Sequence, residues 1–273
     1  MTQERYSHGY DASVLNSYRS RSVANSAAYL LPYLQDGMRV LDLGCGPGSI
    51  SADLAALLPQ GQVVGVDISE VSVASAQQAY RRDNLQFQTA NVYALPFQDA
   101  CFDVVHAHQV LQHLGQPDVA LREMVRVLKP NGIVAVRDTA YDSMAWQPAV
   151  PELARWMDVY QAIAKRNGGN PNIGPDLAGL CVAAGLAEVV VSQSDWHYHQ
   201  GDGSAQWWGG VWAGRMLQSD FAHQAQEYGL ADWVELNHIS QAWQGWGQLP
   251  DADFVMHHHQ VVACRSPTGL SVL

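Results

Sequence analysis

The stretch Asp42-Leu43-Gly44-Cys45-Gly46-Pro47-Gly48 decides the fold of this 273-residue chain. It begins inside an apolar, β-branched run at residues 39–43, which predicts a buried strand, and a helix is predicted to start near Gly48. A glycine-rich turn between a strand and a helix lets backbone amides approach a ligand at the helix N-terminus. The stretch therefore predicts a turn that binds a phosphate or a nucleoside.

The spacing of the glycines in this turn narrows the choice of ligand. The dinucleotide fingerprint requires a third glycine three places after the second, and Ser49 occupies that place. The turn also lacks the Gly-Lys-Ser/Thr ending of a loop that binds a nucleoside triphosphate. The spacing is Gly-x-Gly-x-Gly, so a nicotinamide dehydrogenase is a competing hypothesis that Ser49 disfavours.

Short β-branched runs alternate with helical stretches from residue 38 to about residue 140, which is typical of a parallel sheet covered by helices on both faces. We predict strands at residues 39–43, 62–67, 85–88, 102–106, 132–136, 187–192 and about 260–264. We predict helices at residues 25–34, at 71–82 with Ser69 as N-cap, from Pro117 onward, and at 177–184. The predicted fold class is α/β, with a doubly wound, mostly parallel sheet of seven strands.

After Thr139 the alternation of short β-branched runs and helical stretches stops, which suggests insertions between the strands of this sheet. We predict a core made of residues 1–140, with an N-terminal lid helix, together with residues 171–195 and 257–273. Residues 141–170 and 196–256 are predicted to form helical cap insertions, and the second of these holds seven of the nine tryptophans. Such a cap over the carboxyl edge of the sheet would select the substrate.

Composition excludes several classes of function. The formal charge of −11 would repel a polyanion, so a nucleic-acid partner is not expected. We find no apolar run of the roughly 18 residues that a membrane span requires and no secretory h-region, so we expect a cytoplasmic protein without a membrane span. The four cysteines are scattered and are interpreted as reduced thiols. The sequence is compatible with a homo-oligomer.

Three further sequence features accompany the glycine turn. Asp67 ends the second predicted strand, where a carboxylate can accept hydrogen bonds from both hydroxyls of a ribose. Residues 90–97, which end in Leu95-Pro96-Phe97, follow the third strand, and Asn91 supplies a polar side chain there. The run Leu128-Lys129-Pro130-Asn131-Gly132 then leads into the fifth strand.

In this order the features resemble the class I S-adenosylmethionine-dependent methyltransferases, a superfamily that includes ubiquinone and menaquinone biosynthesis enzymes and natural-product methyltransferases. The resemblance covers residues 38–140 and implies a Rossmann-like fold and S-adenosylmethionine as cofactor. It places Asp42, Gly44, Cys45, Gly46 and Gly48 at the methionine end, Asp67 and Ile68 at the ribose, Asn91 and Val92 at the adenine, and Ala107, His108 and Gln109 beneath the sulfonium. Asn91 departs from the usual aspartate, but its amide oxygen can still accept a hydrogen bond.

His113 and Asp138 are the candidate catalytic residues. Each follows a predicted strand at the carboxyl edge, where ligands bind in such sheets. An oxygen acceptor or an activated carbon acceptor would benefit from a base, and a histidine oriented by an aspartate is suited to that role. Some relatives use such a pair at these positions, whereas others carry a histidine there that only packs.

The expected substrate is a small, aromatic or hydrophobic acceptor methylated at carbon or oxygen. N-methylation and an inactive, cofactor-binding member are alternatives, distinguished by whether a cavity reaches the sulfonium position. No metal site is expected at His257-His258-His259, because alternate side chains of a strand point to opposite faces. The pairs Trp207-Trp208 and Trp243/Trp246 either form an acceptor pocket or belong to the core of the cap.

The N-terminal segment before the first strand has two interpretations. Its side chains Tyr6, His8, Tyr10, Tyr18, Arg19 and Arg21 could fold over the cofactor as a lid, with an arginine meeting the methionine carboxylate. The alternative is an ordinary surface helix.

Overall fold

The computed structural model describes residues 5–9 and 12–266. Within these residues eight strands form one sheet. The strands are β1 Arg39–Leu43, β2 Gln62–Asp67, β3 Leu85–Thr89, β4 Phe102–His108, β5 Leu128–Thr139, β6 Ala145–Gln147, β7 Leu186–His199 and β8 Asp253–Arg265. The α-helices are α1 Ala12–Arg19, α2 Ser49–Leu57, α3 Glu70–Ala79, α4 Pro117–Val127, α5 Pro151–Arg166, α6 Leu177–Ala183, α7 Ser204–Gln218, α8 Asp220–Glu227 and α9 Trp233–Trp246.

The strand order is β3-β2-β1-β4-β5-β8, and strands β1 to β5 are parallel. β8 runs antiparallel to β5, to the short β6 and to β7. The chain moves outward from β1 to β3 and then returns to place β4 on the other side of β1. This reversal brings the loops after β1 and β4 together, the place where open α/β sheets bind their ligands.

The sheet is held by apolar layers on both faces. One layer joins Leu41, Val105 and Val134 to the buried side of α4, and the other joins Val40 and Val104 to α2 and α3. Ser69 accepts a hydrogen bond from the Ser72 amide and caps α3 as predicted. The doubly wound α/β fold class is therefore confirmed.

The chain between β5 and β8 forms a second hydrophobic core beside the sheet. Helices α5, α7, α8 and α9 pack around Trp156, Trp212, Trp243 and Trp246, all of which are fully buried. Leu236, Ile239, Trp243 and Trp246 share the buried face of α9. This group of helices is called the cap below.

Several elements differ from the prediction. Residues 23–33 form a π-helical turn and a 3-10 helix rather than the α-helix predicted at residues 25–34. Pro32 lies inside the 3-10 helix and has no amide hydrogen to donate to an α-helical hydrogen bond. β7 and β8 extend into residues 196–256, which were expected to be helical, and β6 lies within residues 141–170. The proposed core and cap boundaries therefore cut through strands. Among the described residues no helix is long and apolar enough to span a membrane.

Candidate active site

A cavity of about 540 Å³ lies at the carboxyl ends of β1, β2 and β4. The predicted cofactor residues that line it are Asp42, Gly44, Cys45, Gly46, Asp67, Ile68, Asn91, Val92, His108 and Gln109. Arg5, Tyr6, Tyr18 and Arg21 close its other side. This space is called the first cavity below.

The glycine turn adopts a backbone that only glycine accepts easily. The φ angles of Gly44, Gly46 and Gly48 are 61°, 54° and 88°. A Cβ on Gly48 would lie 2.6 Å from the Phe87 ring, so this glycine serves the packing of the turn on β3. Gly48 does not line the first cavity, although the resemblance placed it at the methionine end.

Asp67 joins the turn to the neighbouring loop. Its Oδ2 accepts a hydrogen bond from the Gly46 amide and its Oδ1 one from the Ser69 amide, each at 2.9 Å. Burial raises the pKa of this carboxyl, and the amide donors oppose the shift. The Ile68 amide also hydrogen-bonds to this carboxylate, and because a carboxylate offers about four lone-pair sites, acceptor capacity remains for a ligand in the cavity.

Ala107 and Asn91, two other predicted cofactor residues, are placed differently with respect to the first cavity. Ala107 is fully buried in β4 and does not line the cavity, because its side chain points into the core of the sheet. Asn91 lines the cavity, but its Oδ1 accepts a hydrogen bond from the Tyr93 amide at 2.9 Å. The Asn91 side chain therefore closes a local turn in addition to lining the cavity.

His113 and Asp138 are both tied to Gln112. The Gln112 side-chain Nε2 lies 3.1 Å from His113 Nε2, and the Gln112 amide donates to Asp138 Oδ1 at 3.2 Å. Burial and the Arg21 charge lower the pKa of His113 to about 3. Burial raises the pKa of Asp138 to about 8. Asp138 is fully buried in β5 and lines neither cavity described here, so the two side chains are linked through Gln112 rather than directly paired.

A second cavity, of about 450 Å³, lies between the first cavity and the cap. The residues common to both cavities are Tyr6, Tyr18, Arg21, Gln109 and His113. The Tyr6 and Tyr18 hydroxyls are hydrogen-bonded to each other. Trp207 and Trp208 line the second cavity, and Trp208 also belongs to the cap core, together with Trp243 and Trp246.

Arg21 sits at the junction of the two cavities. Its Nη2 donates to Gln109 Oε1 at 2.6 Å, and its guanidinium lies 4.1 Å from the Tyr18 ring centroid. Burial lowers the pKa of the Arg21 guanidinium. Arg19 instead donates to Ser75 Oγ, outside the cavity, and Tyr10 lies outside the described residues. The N-terminal segment therefore contributes Tyr6, Tyr18 and Arg21 to both cavities, Arg5 to the first cavity and His8 to the second.

The histidine run at the end of the chain alternates between faces. His258 is fully buried beside Gln109, with 2.8 Å between the Gln109 Nε2 and His258 Nε2 atoms. His257 is partly exposed and lies 2.9 Å from the Asp195 carboxylate. Among the described residues, no group of three or more side chains is arranged to hold a metal ion.

The first cavity fits a nucleoside cofactor. Its volume lies within the roughly 300–1,000 Å³ usual for ligand sites, and Asp67 keeps acceptor sites where a ribose would lie. The backbone of Gly46 is accessible from the cavity, because a Cβ at this position would contact only the Tyr18 ring, at 4.0 Å. Fold and site together define a nucleoside-binding protein of the doubly wound α/β class.

Comparison with known proteins specifies the family. The Methyltransferase domain family matches residues 34–200. An uncharacterized methyltransferase of Schizosaccharomyces pombe is 30% identical over 267 residues, covering 94% of this chain and 95% of its own. The chain belongs to this methyltransferase family, and S-adenosylmethionine is its cofactor.

Two more distant similarities cover different extents. The 27-O-demethylrifamycin SV methyltransferase of Amycolatopsis mediterranei is 36% identical over 141 residues, about half of each chain. The YcgJ protein of Bacillus subtilis superposes with a TM-score of 0.58 at 18% identity, covering 88% of this chain and 97% of its own. The second similarity supports the fold alone.

Sequence reasoning offered the pair Trp207-Trp208 on the cap side of the second cavity but missed three other side chains there. That cavity is also lined by Trp196, Tyr198 and Arg215, which lie 58 to 77 residues after Asp138, the nearest predicted site residue on the chain, and were not singled out. One signal was available for Arg215. It lies seven residues after Trp208 and three after Trp212, a spacing that places a charged side chain on the apolar face of a helix.

Proposed function

We propose that this enzyme methylates a small, aromatic or hydrophobic acceptor at oxygen or carbon, with the acceptor bound in the second cavity. The observation that carries the proposal is the junction of the two cavities at Tyr6, Tyr18, Arg21, Gln109 and His113. An acceptor in one cavity and a cofactor in the other would meet at these side chains. When bound, S-adenosylmethionine supplies a methyl group on a positively charged sulfur.

The chain contributes alignment and exclusion of water. In-line displacement is accelerated when the acceptor atom is held at close range in a site from which water is excluded. The Tyr6 carbonyl accepts a hydrogen bond from Gln224, and the Ser7 hydroxyl accepts one from Asn167, each at 3.0 Å. Both partners belong to the cap side of the molecule, and these two hydrogen bonds support the proposal that the N-terminal segment covers the junction as a lid.

His113 is proposed to contact the acceptor atom. Gln112 Oε1 accepts hydrogen bonds from the Thr139 hydroxyl at 2.7 Å and the Thr139 amide at 3.3 Å, which assigns the Gln112 amide nitrogen as the group facing His113. His113 Nε2 then accepts a hydrogen bond and Nδ1 carries the proton. In this tautomer His113 donates to an acceptor oxygen, and it becomes a base only if the Gln112 contact opens.

Asp138 supports this arrangement through Gln112 and is proposed as a positioning residue. Its Oδ1 accepts from the Gln112 amide, which fixes the 3-10 turn that carries His113. This role replaces direct orientation of the His113 ring by the Asp138 carboxylate.

The test is a screen of phenolic, enolic and amine acceptors, with release of S-adenosylhomocysteine as the first readout and mass spectrometry of the product as the second. We expect turnover with phenolic or enolic acceptors. Turnover restricted to amines would support N-methylation instead. Binding of S-adenosylhomocysteine without any turnover would support the inactive, cofactor-binding alternative.

Two variants distinguish the roles of His113. Glutamine can donate a hydrogen bond but cannot act as a base at neutral pH, so His113→Gln retains most turnover if the residue only donates. His113→Ala is expected to lower turnover at saturating cofactor about 10- to 100-fold without weakening cofactor binding. Unchanged turnover in both variants would remove His113 from the mechanism.

A further inference from the structure

The inner end of the second cavity holds an arginine without an acidic partner. Arg215 of α7 is 4% exposed, and it lines this cavity but not the first one. Among the described residues its guanidinium donates one hydrogen bond, from Nη2 to Ser17 Oγ at 2.6 Å, and forms no ion pair. Its buried Nε has no hydrogen-bond partner in that part of the chain.

A buried guanidinium without an anion is costly. Removing a charge from water carries a penalty of several kcal/mol, which proteins normally offset with a carboxylate or a full set of hydrogen bonds. Arg215 has five N–H donors, and its other close neighbours are the Trp212 ring at 4.8 Å and the Tyr18 ring at 5.6 Å. The hydrogen-bonding capacity of this side chain is therefore largely unused.

A second polar group beside Arg215 is also incompletely bonded. His8 is 3% exposed and lines the same cavity, with its Nε2 3.2 Å from the Tyr160 hydroxyl. Its Nδ1 has no partner among the described residues. With the proton on Nδ1, His8 is a neutral hydrogen-bond donor.

The remaining charges around this space favour a negatively charged ligand. Arg21 lines the same cavity and adds a second guanidinium, 4.1 Å from the Tyr18 ring centroid. The acidic side chain that lines the second cavity, Asp195, is half-exposed and already paired with His257 at 2.9 Å. The inner end is therefore positive and has no described carboxylate to neutralise it.

We propose that the methyl acceptor carries an anionic group, a carboxylate or a phosphate, that binds to Arg215 at the inner end of the second cavity. The inference rests on the proposed function, because it assumes that the second cavity holds the acceptor. The aromatic body of the acceptor would lie along Tyr198 and Trp208, whose rings stack at 4.3 Å and 5°. Because Arg215 does not line the first cavity, its anion is distinct from the carboxylate of the cofactor.

The experiment measures binding of matched ligand pairs to the protein saturated with S-adenosylhomocysteine. The pairs are 4-hydroxybenzoate with 4-hydroxybenzamide, indole-3-acetate with indole-3-acetamide, and 2-naphthoate with 2-naphthamide, and phenyl phosphate forms a separate arm. Calorimetry is expected to give a Kd at least tenfold lower for the anion in one or more pairs, since charge-assisted hydrogen bonds are about twice as strong as neutral ones. The phosphate arm shows which anion the site prefers.

Variants then locate the anion. Arg215→Gln should abolish the preference for the anion while the Kd for S-adenosylhomocysteine stays within twofold. Arg122→Gln is the matched control, because Arg122 forms an exposed ion pair with Asp118 and should retain the preference. If Arg215→Gln does not fold, Arg215→Lys provides the test, since it keeps the charge but loses the forked donors and should reduce the preference.

The outcomes separate this inference from the proposed function. Equal binding of anion and amide by the unsubstituted protein, including binding of neither, overturns the inference. A preference that survives Arg215→Gln but disappears in Arg21→Gln also overturns it, because the anion would then lie at the junction. Turnover of neutral acceptors in the screen would leave the proposed function intact while these results removed the anion site.

Discussion

The His106 ring donates a hydrogen bond from Nδ1 to Asp42 Oδ1 at 2.7 Å, across the register pair that joins β1 to β4. The second carboxylate oxygen of Asp42 accepts from Ser51 Oγ of α2 at 2.5 Å. Both Asp42 and His106 are almost completely buried. One carboxylate at the start of the glycine turn thus connects the two central strands with the helix that follows the turn.

Replacing His106 with alanine should strongly destabilise the protein. The buried Asp42 carboxylate would lose a partner, and breaking a buried pair in this way typically costs about 3–5 kcal/mol. Urea unfolding without cofactor measures the loss. His197→Ala is the control, because His197 forms a half-exposed pair with Asp253 and should cost under about 1 kcal/mol. Equal losses in the two variants would contradict this account of Asp42.

Replacing Gly46 and Gly48 with alanine, one at a time, should affect different properties: cofactor binding at Gly46 and folding stability at Gly48. Both positions have positive φ, which costs roughly 1–2 kcal/mol for alanine. Only at Gly48 would the new methyl group meet Phe87 and Ala76 within 3 Å, so Gly48→Ala should cost about 1–3 kcal/mol more. Gly46→Ala should chiefly weaken binding of S-adenosylhomocysteine, measured by calorimetry. A larger loss of unfolding free energy at Gly46 would refute the assignment.

The buried Asp138 should give a stability that falls as pH rises. Its folded pKa of about 8 is above the usual value of about 3.9, so the folded state binds the proton more tightly. The contribution is fully present below about pH 4 and is lost as pH rises through 8. Asp138→Asn should therefore gain stability relative to the unsubstituted protein between pH 5 and 7.5, by up to about 1.4 kcal/mol per pH unit. If the difference in unfolding free energy between the two proteins does not change with pH, Asp138 does not carry a raised pKa in the folded state.

His113 should have the opposite effect on stability. Its folded pKa of about 3 is below the usual value of about 6.5, so the unfolded chain binds the proton first as pH falls. The contribution is present above about pH 6.5 and is lost as pH decreases toward 3. The unfolding free energy of His113→Gln should thus depend less on pH between 4 and 6.5. Parallel pH profiles for the variant and the unsubstituted protein would show that the ring is not shielded in the folded state.

Much of the fold was predictable because its signals are local. The runs at β1 and β2 were predicted with their observed bounds, since a buried parallel strand is a short β-branched segment followed by a turn. β7 and β8 were predicted too short. The buried positions of β8 alternate at Phe254, Met256 and His258, but the histidines and the tryptophan-rich segment before them obscured that pattern.

The cofactor side of the site was more predictable than the acceptor side. Residues of the first cavity follow strands of one sheet, so their position along the chain indicates their place in space. The second cavity joins residues as distant as Ser17 and Arg215, which meet only because α1 packs on α7. Nothing local at either residue specifies that contact.

The antiparallel strand β8 has a consequence for the order in which the molecule is built. β6 and β7 pair with β8 and with no other described strand. Ile133 of β5 pairs with Cys264 of β8, which is 131 residues further along the chain. During synthesis from the N-terminus, the outer strands therefore remain without hydrogen-bonded partners until residues 253–265 leave the ribosome. Pairing over such a separation is slow, so the edge of β5 that faces β8 stays unpaired from the synthesis of Thr139 until β8 is complete at Arg265, and during that interval it is open to pairing with other chains.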